Sequence, residues 1–130
     1  MQIQPQEAST APGRHRRKYV FVVEDTPSIR ARIIAMLNGL EDVRVVGKAA
    51  SAAKAVSGIL QSRPDVVVLD VRLEGSSGID VLHQIHARAP GIVFIVLTNH
   101  PDLQYRRIYM AAGASHFLDK SLEFSRVAEL

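Results

Sequence analysis

The sequence predicts an α/β domain built on a parallel sheet with helices on both faces, and three observations carry that prediction. First, continuous apolar runs at Val20-Phe21-Val22-Val23, Val66-Val67-Val68-Leu69 and Ile92-Val93-Phe94-Ile95-Val96-Leu97 have the composition of strands buried on both sides. Second, amphipathic stretches alternate with these runs, as strand and helix must alternate in such a domain. Third, these runs and His116-Phe117-Leu118-Asp119 all stop at polar groups: Glu24-Asp25, Asp70, Thr98 and Lys120. In open parallel sheets ligands bind beyond the carboxyl ends of the strands, so polar strand ends on one edge predict a site.

Each element follows in order. After the first run, Thr26-Pro27 opens a helix with a polar cap and proline at the first helical position. It turns Ile29, Ile33, Met36, Leu37 and Leu40 inward and stops at Asn38-Gly39. Val43 to Val46 is a short second strand. Ser51 caps a second helix showing Ala55, Val56, Ile59 and Leu60, which Pro64 ends. The third helix runs from about Ser77, offers Ile79, Leu82 and Ile85, and is closed by Pro90-Gly91. Pro101 opens a fourth helix through Ala112, and Ser121 caps a fifth that has barely begun at Leu130.

At 130 residues one core is expected rather than two domains. With no cysteine there is neither a disulfide framework nor a thiolate metal site, which fits a reducing cytoplasm. The apolar runs are too short to cross a bilayer, and the first residues lack the apolar stretch of a signal peptide, so a cytoplasmic protein without membrane contact is expected. The net charge of +3 resides in residues 1–18, where Arg14, Arg16, Arg17 and Lys18 stand against Glu7. The remaining residues are neutral, so direct nucleic-acid binding by the globular part is not expected. Residues 1–18 are rich in Gln, Pro, Ser and Ala and offer little apolar surface to offset their ordering entropy, which predicts a disordered basic leader before a domain over residues 19–130.

The polar strand ends have a shared chemistry. Glu24, Asp25 and Asp70 brought within a few ångströms resist joint ionisation unless a cation sits among them, and Mg²⁺ prefers such oxygen ligands. An ionised Asp70 is then a candidate nucleophile. Lys120 and the cation would neutralise negative charge on a group bound there, and Thr98 could donate a hydrogen bond to it. Plainer roles compete: Glu24-Asp25 as acids at a helix N-terminus, Lys120 as an ion-pair partner, Thr98 as a cap, Phe117 as core. The five histidines show no metal-ligand spacing and are expected on the surface or in loops.

From Tyr19 to Leu130 the chain resembles the receiver domain of two-component response regulators. The matching residues are Glu24-Asp25, the phosphoacceptor Asp70, Gly78 eight residues later, Thr98, Gly113-Ala114 and Lys120. The resemblance implies a flavodoxin-like, doubly wound five-stranded sheet of strand order 2-1-3-4-5. It implies Mg²⁺ held by Asp25, Asp70 and the backbone carbonyl of Arg72, with Glu24 acting mainly through a bound water. It implies a sensor histidine kinase as phosphodonor, and no enzymatic activity beyond the domain's own phosphorylation and dephosphorylation. Thr98 and Phe117 would form a switch in which the hydroxyl moves toward the phosphoryl group and the ring turns inward. The signal would leave, to a second copy or an output partner, through the fourth helix, last strand and fifth helix, a face expected to display Tyr105, Arg106, Arg107 and Tyr109.

The chain departs from the family pattern at several places. Ser121 follows Lys120 where a cis-proline is usual, Glu74 replaces a common proline, and Glu24 stands where Asp is commoner. Arg72 and His100 occupy positions that modulate water access to the acyl phosphate. A nucleotide-binding Rossmann enzyme would need a glycine-rich turn where Glu24-Asp25-Thr26-Pro27 stands. Within the family, two other readings are the receiver half of a DNA-binding transcriptional regulator and a receiver that signals without phosphorylation.

Overall fold

In the computed structural model, residues 17–99, 102–120 and 126–127 are described. Strand β1 (Lys18–Val23) leads to helix α1 (Pro27–Asn38), β2 (Val43–Ala49) to α2 (Ala52–Ser62), and β3 (Val66–Leu69) to α3 (Gly78–Arg88). Strand β4 (Val93–Thr98), helix α4 (Leu103–Ala111) and β5 (His116–Asp119) follow. All strand pairings within the five-stranded sheet are parallel and its order is β2-β1-β3-β4-β5, as the resemblance implied. Between β3 and α3, Arg72–Leu73 and Ser76–Ser77 form a small antiparallel ladder.

Alternation along each strand divides the core in two. Val20, Val22, Val66, Val68, Ile95, Leu97 and Leu118 face one side, where Ile33 and Leu37 of α1 and Val127 cover them. Phe21, Val23, Val67, Leu69, Phe94, Val96 and Phe117 face the other, under α2, α3 and Tyr109 of α4. Both faces of the central strands are buried, which is why β3 and the runs at residues 20–23 and 94–97 are apolar at every position rather than at every second one, whereas the edge strand β2 carries Arg44 and Lys48.

The helix boundaries follow their caps. Ser51 Oγ accepts from the Lys54 N–H at 3.4 Å, and Ser77 Oγ from the Ile79 N–H at 3.2 Å. Thr26 is an N-cap by position only; its hydroxyl donates to Asp25 Oδ1 at 3.3 Å, and Pro27 at the first helical position sets the helix start. Helix α2 ends at Arg63 in the left-handed conformation, φ 49° and ψ 61°, with its N–H donating to the Ile59 carbonyl at 2.8 Å.

Five expectations need correction. Strand β2 continues three residues past Val46 to Ala49, because a bulge between Val20 and Phe21 shifts the register and lets pairing resume at Gly47. A Cβ at Gly47 would lie 2.5 Å from the Phe21 ring, so the strand passes that ring only as glycine. Lys18, counted with the leader, begins β1 and donates its N–H to the Asp42 carbonyl at 2.7 Å. Tyr109, expected on an exposed recognition face, is 2 % exposed, because it is the residue with which α4 docks on the core. His86 lies on α3 with a buried Nδ1 instead of in a loop or on the open surface. The fourth helix, expected to open at Pro101, starts instead at Leu103 with Asp102 as its N-cap. The leader up to residue 16, His100, Pro101 itself, the Lys120-Ser121 bond and the Ser121 cap of the fifth helix lie outside the described residues.

A candidate carboxylate and lysine site at the sheet edge

The site forms where β1, β3, β4 and β5 end along one edge of the sheet. Register pairs Val23 with Leu69, so Glu24 and Asp70 emerge from adjacent strands at one level. Two backbone bonds fix those ends: the Glu24 N–H donates to the Ala49 carbonyl at 3.0 Å, and the Asp70 N–H to the Val23 carbonyl at 3.1 Å. On β4 and β5, Thr98 pairs with Asp119, which delivers Lys120 to the same edge.

Lys120 joins the two buried carboxylates. Its Nζ lies 2.6 Å from Glu24 Oε1 and 3.0 Å from Asp70 Oδ2, with 7 % of the lysine side chain exposed. Burial presses its pKa down, but the bonds from Glu24 and Asp70 outweigh that and hold it above the usual lysine value. Burial pushes the Glu24 carboxyl up, with Lys120 pulling the other way and the charge of Asp70 adding to the rise. The second Glu24 oxygen accepts from the Thr26 N–H at 3.1 Å, and the Glu24 backbone carbonyl accepts from Arg30 at 2.8 Å.

Asp25 completes the group. One carboxylate oxygen from each of Glu24, Asp25 and Asp70 lies within 4.8 Å of the others, and Asp25 is the most open of the three. Three carboxylates against one ammonium leave net negative charge in a partly enclosed site, and an all-oxygen donor set with an open side suits a hard divalent cation that keeps its waters. The residues present therefore fit Mg²⁺.

The loop after Asp70 is built tightly. Asp70 Oδ1 accepts from the Val71 N–H at 2.7 Å, which leaves Oδ2 to Lys120. The Gly78 N–H donates to the Val71 carbonyl at 2.8 Å, and a Cβ at Gly78 would lie 2.2 Å from the Asp70 carbonyl oxygen. Only glycine lets α3 start this close to the acceptor, which is the physical meaning of a glycine eight residues on. Arg72 opens the small ladder with its side chain exposed.

Of the other sequence-derived residues, Thr98 is fully buried at the end of β4 and Phe117 lies inside the core at 4 % exposure, its ring already inward. The sequence reading missed the role of Tyr109. Its hydroxyl donates to the Val71 carbonyl at 3.3 Å, and its ring lies 6.1 Å from that of Phe117 at 54°. The available signal was the helical spacing that puts Tyr109 four residues after Tyr105, on the side of α4 that meets the sheet.

Comparison with known proteins gives a consistent result. Residues 20–130 match the family profile of the response regulator receiver domain. The chain is 32 % identical over 109 residues to the DNA-binding transcriptional activator DevR/DosR of Mycobacterium tuberculosis, a match covering 84 % of this chain and 50 % of that protein. It is 32 % identical over 107 residues to the regulatory protein LuxO of Vibrio cholerae, covering 82 % of this chain and 23 % of LuxO. The chain thus spans half or less of the length of these two relatives. Among solved structures it resembles the response regulator domain of Thermotoga maritima CheB, with TM-score 0.79 and 27 % identity over 88 % of this chain and 90 % of that one. It also resembles the receiver domain of the response regulator NarL from Mycobacterium tuberculosis, with TM-score 0.82 and 25 % identity over 88 % and 92 %.

Proposed function

Because the chain belongs to the response regulator receiver domain family of two-component systems, we propose that it takes a phosphoryl group onto Asp70, from a sensor histidine kinase or a small phosphodonor, and signals through the change of state that follows. The observation that carries this reading is the buried ammonium of Lys120 held at once by Glu24 and Asp70, beside the more open Asp25. An ionised Asp70 oxygen attacks phosphorus in line, the bond from phosphorus to the donor breaks, and its electron pair leaves with the donor, giving an aspartyl phosphate. Glu24, Asp25, Asp70 and the backbone carbonyl of Arg72 are the groups that would hold Mg²⁺, which when bound neutralises charge on the phosphoryl oxygens. Lys120 then gives its charge to the phosphoryl group, and Thr98 donates a hydrogen bond to it.

The receiver begins at Lys18, with the basic residues before it as a leader, and acts in the cytoplasm. Thr98 and Phe117 form its switch, and the signal leaves through α4, β5 and the segment after Lys120 to a second copy or an output partner. The domain turns over no substrate besides its own phosphoryl group. Among the described residues no helix is long and apolar enough to cross a membrane. A second reading, the receiver half of a DNA-binding regulator, is favoured by the match to half of DevR/DosR.

Acetyl phosphate with Mg²⁺ tests the acceptor. Intact-mass measurement should find one added phosphoryl group on the wild type, and none on Asp70→Asn or after chelation of the metal. Undiminished labelling of Asp70→Asn would place the acceptor elsewhere and overturn the reading.

A further inference from the structure

Helix α4 is fixed to the rest of the domain at few points. Its buried residue is Tyr109, while Leu103, Ile108 and Met110 are exposed. Arg106 reaches from the same helix to the Phe117 carbonyl at 3.2 Å. The Tyr109 hydroxyl, in contrast, reaches past the sheet to the acceptor loop, where the Val71 carbonyl takes hydrogen bonds from both Tyr109 and the Gly78 N–H. A Cβ on Gly78 would stand 3.2 Å from that hydroxyl, so the tyrosine oxygen sits in the joint between Asp70 and the start of α3. Val71 follows the acceptor directly, and its carbonyl orients the peptide plane that leads into Arg72. A group bound to that carbonyl therefore senses, and restrains, any shift of the loop.

We propose that Tyr109 is a positioning residue that couples α4 to the phosphoacceptor loop through its hydrogen bond to Val71. The proposal rests on the function proposed above, since Asp70 must be the group that changes state. In the resting protein the bond holds α4 down and keeps the loop arranged for the cation. When a phosphoryl group then joins the site and the loop shifts around it, the bond changes strength and α4 responds, although neither Thr98 nor the Phe117 ring has to deliver that signal. Coupling of this kind is reciprocal: what the loop does to α4, α4 does to ligand affinity at the loop.

Tyr109→Phe removes the oxygen and keeps the ring against Phe117, so the core stays packed. Two measurements decide the matter, with beryllofluoride and Mg²⁺ as the probe. In the wild type, the probe should change amide exchange beside Asp70 and across Leu103–Ala111; in Tyr109→Phe it should change only the former. Mg²⁺ affinity of the variant should fall about fivefold, the factor that one net hydrogen bond is worth, while a circular-dichroism melt confirms that the variant is folded. An α4 response and Mg²⁺ affinity equal to those of the wild type would overturn the coupling and leave the acceptor assignment standing. Failure of the wild type itself to bind the probe would overturn both, and the two failures are thereby distinguishable.

Discussion

A lysine with so little of its side chain in contact with water must be compensated, and Lys120 is compensated by two carboxylates at 2.6 and 3.0 Å. The charge arrangement serves two states: the ammonium stands in for part of the positive charge that a cation and a phosphoryl group's partners require. Glu24, one methylene longer than the aspartate commoner at this place, contacts Lys120 directly at 2.6 Å. Tyr109 offers a titration test at the same scale. Burial pushes its hydroxyl up to about 12 from 10.0. With the folded value above the unfolded one, the stabilisation is complete below pH 10 and is lost as pH rises toward 12. The loss should be about 2 to 3 kcal/mol, read as the difference between wild type and Tyr109→Phe in urea titrations across that window. Parallel pH dependence of the two proteins would show that the hydroxyl is not held as described.

Among the elements, α2 and α4 are the informative helices. Helix α2 buries Ala52, Ala55 and Ile59, is capped by Ser51, and stops at a left-handed Arg63 where glycine is usual. Arg63→Gly should therefore stabilise the domain by about 1 kcal/mol, measured as a higher melting temperature; a lower one would mean that the arginine side chain offsets its backbone strain. Helix α4 is instead a weakly attached element, because Tyr109 is its one buried residue and Tyr105 packs against the core only in part. A segment with few buried contacts opens more easily than the core, which is what a responsive surface requires. Its exposed Leu103, Ile108 and Met110 belong to the face proposed for output.

For the molecule as a whole, the site is a place where folding leaves charge uncancelled. Glu24, Asp25 and Asp70 converge because β1 and β3 are neighbours that end at one edge, and their repulsion opposes the packing that brings them together. A cation that binds only the folded state should then raise its stability, by about 2.7 kcal/mol at a concentration a hundred times its dissociation constant. Melting temperature should rise with added Mg²⁺ in the wild type and stay flat in Asp25→Asn. Equal shifts in the two proteins would place the cation elsewhere.

The sequence by itself determined the strand cores, the helix cap at Ser51, and the identity of the carboxylates and the lysine, because those signals are local: continuous apolar runs, cap residues, and polar groups where the runs stop. Tertiary structure decided what depends on partners distant along the chain. Strand β2 extends to Ala49 because β1 offers a template beyond a bulge, and Gly47 is needed for a ring that approaches from another strand. Lys120 reaches Glu24 as well as Asp70 because β1 and β3 are neighbours, an adjacency that no run of residues encodes. Tyr109 reads as a surface tyrosine between Ile108 and Met110, and only the docking of α4 turns it inward to the Val71 carbonyl. Periodicity gives a helix its faces, but which face is buried depends on what the sheet places beneath it.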